Sequence, residues 1–138
     1  MAELSEFVAA QDPVWDRVRA ELRAGRKETH WIWWVFPQLA SLGRSERARH
    51  FGLSGLDEAA AYLAHPVLGP RLEEAARLML THVGTPPEDV LGQVDALKLC
   101  SSMTLFEAVP GAPPVFARVL DRLYGGERCP QTRKALGR

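Results

Sequence analysis

The chain has 138 residues, 46% of them hydrophobic and 25% charged, a balance that predicts one folded domain over 1–138 with a sizeable core and excludes intrinsic disorder. Lysine plus arginine and aspartate plus glutamate each total 17, so no net field draws the whole molecule onto nucleic acid or an anionic membrane, and neither is predicted as a partner. No run approaches the roughly 18 consecutive apolar residues of a spanning helix, and the opening MAELSEFVAAQD lacks the basic start and apolar stretch of a signal peptide, which predicts a cytoplasmic protein.

Leu4, Phe7, Val8, Gln11, Val14, Trp15, Val18 and Leu22 recur at three- and four-residue intervals, one stripe of a helix. Asp12 and Pro13 interrupt it. Aspartate is a good N-cap and proline is tolerated at the first helical position, so the pattern predicts a short opening turn, then a helix from Pro13 to Ala24 stopped by Gly25. His30 to Leu39 is apolar nearly all round, and its regular part ends at Phe36, because the residue before Pro37 is pushed from helical angles. With no second strand to pair with it, this stretch reads as a short buried helix or an extended insert.

Ser45 can cap a short helix through His50, and Ser54 or Asp57 another, closed by Pro66, in which Leu56, Ala59, Ala60 and Leu63 share a face. A longer helix is predicted from Pro66 or Pro70 through His82, with Leu68, Leu72, Ala75, Ala76 and Met79 in register, ended by Gly84 and Pro86-Pro87. Next, Val94, Leu97, Cys100, Thr104 and Ala108 keep helical spacing as an apolar stripe, while Asp95, Lys98 and Ser102 line another face. Beyond the loop from Pro110 to Pro114, Val115, Phe116, Val119, Leu120 and Leu123 form a last stripe stopped by Gly125 and Gly126, and Pro130 can start a terminal turn. The predicted fold is all-α, a compact single-domain bundle of about six to eight short helices.

Chemistry concentrates in KETHWIWWVFPQ, where Lys27, His30 and Gln38 share twelve positions with Trp31, Trp33, Trp34 and Phe36. Large rings supply apolar walls for a ligand and each indole N–H can donate a hydrogen bond, so Trp31 and Trp34 suit a planar guest; the same rings equally suit a core. An imidazole can give or take a proton in the physiological range, so His30 is the candidate catalytic acid or base, against the alternative of a hydrogen-bonded structural residue. Lys27 could hold a phosphate or carboxylate, or simply complement a helix end. In KLCSSMTLF, Ser101 and Thr104 with Lys98 could bind phosphate, or back-bond to helix carbonyls. The set supports either a pocket for a small phosphorylated or nucleotide-like ligand, or an aromatic anchor for a partner or a second copy.

Cys100 and Cys129 show no ligand spacing, so neither a metal nor another cofactor is predicted; Cys100 reads as a small core residue and Cys129 as a surface thiol. His65-Pro66 with Gly69-Pro70 reads as a helix start.

Several blocks in order resemble one family. Gly25-Arg26-Lys27 to His30-Trp31, Trp34, and Phe36-Pro37-Gln38-Leu39 resemble the core signature of the domain of unknown function 1810 family. Leu42-Gly43-Arg44-Ser45, His65 through Leu72, and Asp95 with Lys98 through Phe106 are similar to its later motifs. The resemblance spans essentially the whole chain and implies a compact all-helical fold without implying a reaction. Some members carry the label calpastatin, but nothing in this chain resembles a basis for protease inhibition. Two departures from the pattern stand out: Trp31-Ile32-Trp33-Trp34 replaces the usual methionine and phenylalanine, and Cys129 stands where an aspartate is expected.

Overall fold

The computed structural model describes residues 2–138, and among them ten α-helices and no strand. Helix α1 (Leu4–Gln11) is a full element rather than the expected turn, held at its start by reciprocal bonding between Glu3 and Glu6. Asp12 therefore closes α1 instead of opening the next helix, and α2 (Trp15–Ala24) begins beyond Pro13. Gly25, at φ 73°, ends α2 in the left-handed conformation that a side chain would resist. The aromatic stretch resolves as one helical turn, α3 (Ile32–Val35), and not an extended insert.

After α3 the chain makes a single parallel bridge, with the Leu53 amide donating to the Gln38 carbonyl at 2.9 Å and the Ala40 amide to the Leu53 carbonyl at 2.8 Å. Between the bridged residues lie a 3-10 turn (Ala40–Leu42) and α4 (Glu46–His50), capped by the Ser45 hydroxyl accepting from the Ala48 amide at 3.0 Å. Helix α5 (Leu56–Ala64) starts after Gly55; neither Ser54 nor Asp57 caps it, and the Ser54 amide instead donates to the Glu58 carboxylate. Helix α6 (Leu68–Leu80) opens with His65, whose Nδ1 accepts from the amides of Val67 and Leu68 at 3.1 and 3.3 Å. Pro70 fits because a residue in the first turn has no intrahelical partner for its missing N–H.

The Pro86-Pro87 pair, expected only to end α6, also begins α7 (Pro87–Leu91), with Pro87 in its first turn. Helices α8 (Gln93–Glu107), α9 (Val115–Leu123) and α10 (Pro130–Ala135) complete the chain. Helix α8 packs against α5, α7, α9 and α10, while α6 packs against α2, α3, α5 and α9. Phe106 on α8 lies between Tyr62 of α5 and Phe116 of α9, at ring-centroid separations of 5.4 and 5.8 Å.

One expected stripe is rotated. On α8 the buried face runs through Ala96, Leu99, Ser102, Met103 and Phe106, whereas Val94 and Leu97 are 65% and 70% exposed. Polar and apolar residues are mixed around the whole circumference of this helix, so spacing alone could not select the face. No helix of the described residues is long and apolar enough to cross a membrane.

Candidate functional site

The bridge at Leu39 and Leu53 turns the chain after Gln38 outward, and residues 38–48 then face the exposed side of α8 and the end of α10. Between them lies an open cavity of about 950 Å³, walled by Gln38, Arg44, Lys98, Ser101, Gln131 and Lys134 among others. Three stretches far apart in the chain thus contribute polar groups to one concavity. Leu42, Val94 and Leu97 supply its apolar part.

The charge on that wall is one-sided. Arg44, Lys98 and Lys134 line it, and no carboxylate does, although the whole chain is neutral. The nearest acid on Lys98 is Asp95 at 3.8 Å, and Asp95 is engaged more closely by Lys27 at 2.8 Å. Lys98 also lies 5.4 Å from the centroid of the Trp33 ring, which has the Arg47 guanidinium 5.0 Å away. The half-buried Trp33 ring attracts both cations without neutralising either.

Among the expected ligand contacts, Gln38, Lys98 and Ser101 meet on this wall. Ser101 Oγ sits 3.1 Å from the Leu97 carbonyl and 3.3 Å from Cys129 Sγ. Thr104 does not line it: its hydroxyl donates to the Cys100 carbonyl at 2.8 Å and accepts from the Cys129 amide at 3.0 Å, fastening the start of α10 to α8. Trp31 is 1% exposed, and Trp34 packs edge-on against Phe51 at 5.3 Å, so both rings belong to the core layer rather than the wall.

His30 is exposed and edges a second hollow, of about 430 Å³, together with Lys27, Glu28, Gln93, Val94 and Asp95. The loop that carries Lys27 and His30 is held from below by Glu21, a buried carboxylate on α2. Its oxygens accept from the amides of Glu28 and Thr29 at 2.8 and 3.0 Å, from the Thr29 hydroxyl at 2.6 Å and from Trp31 Nε1 at 3.0 Å. Burial opposes its ionisation, but these donors, led by Thr29, outweigh burial and hold the carboxyl at about 2. The Lys27 amide adds a bond to the Val90 carbonyl at 2.8 Å.

Cys129 is not the expected surface thiol, while Cys100 packs against the core as expected but only half-buried. Cys129 is buried and Cys100 partly exposed, because α10 folds back onto α8 and covers the residue before Pro130. Burial works against ionisation of the Cys129 thiol, but the Ser101 hydroxyl and the groups at the start of α10 lower its pKa below the ordinary thiol value. Burial pushes the Cys100 thiol up to about 11.

Arg44, Gln131, Lys134 and Glu21 had no distinguishing spacing in the sequence. Arg44 stood in one of the family-like blocks and Lys134 in a polar tail, neither carrying a sign of what it would face.

The chain also resembles known proteins. No curated protein matches it. The crystal structure of the conserved hypothetical protein Rv1873 from Mycobacterium tuberculosis is similar at 48% identity and a TM-score of 0.94, over 98% of this chain and 96% of that one. The family model for the protein of unknown function DUF1810 matches residues 1–136, so, with that fold and those motifs running nearly end to end, this chain belongs to the DUF1810 family.

Proposed function

We propose that this is a cytoplasmic binding protein for a small phosphorylated or nucleotide-like molecule, held in the cavity of Gln38, Arg44, Lys98, Ser101 and Lys134. The observation that carries the reading is the collection of three cationic side chains and no carboxylate on one concave wall of a neutral chain. Core packing does not require that segregation, and mutual repulsion among the cations disfavours it, whereas an anion between them would relieve it. Gln38 adds a neutral donor suited to phosphate oxygens, while the Ser101 hydroxyl lines the wall with its proton engaged by the Leu97 carbonyl and Cys129 Sγ. The volume falls within the range of small-molecule sites.

The reading keeps Gln38, Lys98 and Ser101 as ligand contacts, adds Arg44 and Lys134, and leaves Trp31, Trp34 and Thr104 as supports. An aromatic docking surface is disfavoured, since Trp31 is buried and Trp34 half-buried.

Thermal denaturation with inorganic phosphate, pyrophosphate, sugar phosphates and nucleotides tests the proposal, because a ligand selective for the folded state stabilises it by about 2.7 kcal/mol at a hundred times its Kd. At least one phosphorylated compound is expected to raise Tm, and Lys98→Gln to weaken its binding about tenfold. A panel in which no anion raises Tm, or in which Lys98→Gln and Arg44→Gln bind like wild type, would end this reading.

A further inference from the structure

The larger cavity and the hollow at His30 share one side chain, Val94. Leu97 stands one turn further along α8 and lines the larger cavity. At 65% and 70% exposure these two are neighbours on the helix surface. They form an apolar ridge with cations on one side and, on the other, the mixed donors and acceptors Glu28, His30 and Gln93. A ligand body laid across the ridge would remove both apolar side chains from water, which favours its binding there.

Resting on the binding function proposed above, we infer that the ligand is bipartite and spans both hollows. A di- or polyphosphate end lies against Arg44, Lys98 and Lys134; a planar body crosses Val94 and Leu97 and presents a polar edge to His30, Gln93 and Glu28. The chemical class is a nucleoside diphosphate. Three cations on one wall suit more than one negative charge. The far hollow decides the body: an acyl chain there would desolvate a carboxylate and an imidazole without bonding them, whereas a base edge carries both donors and acceptors. The ion pair of Lys27 with Asp95, 2.8 Å long with the Lys27 side chain 6% exposed, satisfies the charge at the floor of that hollow and leaves the exposed groups at its rim to read the edge.

Calorimetric titration of the full chain with pyrophosphate, the four common nucleoside diphosphates and the corresponding nucleosides separates the parts. At least one diphosphate is expected to bind about tenfold or more tighter than pyrophosphate, and its nucleoside to bind far more weakly. Gln93→Ala and His30→Ala, both at exposed positions that line only the smaller hollow, should each weaken that diphosphate about fivefold and leave pyrophosphate unchanged, while Lys98→Gln weakens both. The bipartite inference is overturned if every diphosphate binds like pyrophosphate, or if Gln93→Ala and His30→Ala leave the diphosphate unmoved or weaken pyrophosphate equally. Loss of Lys98 dependence, or no binding of any phosphate, sinks the underlying anion-binding reading as well.

Discussion

The Glu21 carboxylate accepts from four donors, and all four come from the loop and ring that follow its helix, residues 28, 29 and 31. It therefore acts as a post to which the Lys27–Trp31 segment is tied. Because its carboxyl is held at about 2, below the ordinary 4.5, the native state favours the ionised form. That contribution is fully present above about pH 4.5 and is lost as pH falls towards 2, amounting to on the order of 3 kcal/mol at neutrality. Glu21→Gln is expected to destabilise the protein by about 2 kcal/mol at pH 7, with the gap to wild type narrowing as pH falls. Urea unfolding of both proteins between pH 7 and 2.5 measures this, and a gap independent of pH would show that the charge is immaterial. No periodicity marks such a residue in the sequence: Glu21 reads as one of several charges on an amphipathic helix until the loop returns over it.

Between elements, two close fixings position the site and carry separate predictions. Helices α5 and α6 meet where Gly69 lies against the Leu63 carbonyl, so close that a Cβ at Gly69 would strike that oxygen. Backbone cannot move aside as a flexible side chain can, and Gly69→Ala should cost about 3 kcal/mol or more, read as a lowered denaturation midpoint. At the other end, Arg128 places Nε and Nη2 each 2.9 Å from the Glu107 carboxylate and Nη1 2.8 Å from Asp121, closing the loop before α10 onto α8 and α9. Arg128→Met should leave most of the core intact while releasing α10, which carries Gln131 and Lys134. The expected result is faster amide exchange over 129–136 and several-fold weaker pyrophosphate binding. The helices were legible in the sequence where one face alone was apolar: the stripes of α6 and α9 stand where their spacing places them. The turn-length elements α3 and α7 were ambiguous or unseen because four or five residues hold too little periodicity, and α8 was turned because polar and apolar residues are mixed around it.

At the scale of the whole molecule, half of the candidate wall was legible and half was not. Gln38, Lys98 and Ser101 attract notice by type and by their neighbours, but Arg44 and Lys134 acquire meaning only when residues 38–48 and α10 are brought against α8. That convergence depends on contacts distant in sequence, such as the Cys129 amide on Thr104, and no local rule reports it. Thr104 shows the reverse, a hydroxyl in the right stretch that packing commits elsewhere. The same contrast between local and global charge makes a prediction of its own. Positive and negative side chains balance at 17 each over the chain, so added salt has little net repulsion to screen, and Tm without ligand should hardly move between 0.05 and about 0.5 M sodium chloride. Binding of pyrophosphate at Arg44, Lys98 and Lys134 should instead weaken about tenfold over that range, because the cavity is open and its exposed Arg44 and Lys134 attract the anion across distances that salt screens. Denaturation scans at each salt concentration, with and without pyrophosphate, read both effects in one series. If the ligand-induced rise in Tm persisted undiminished at high salt, the attraction could not be the work of that exposed basic wall, and binding would have to lie in a drier part of the fold.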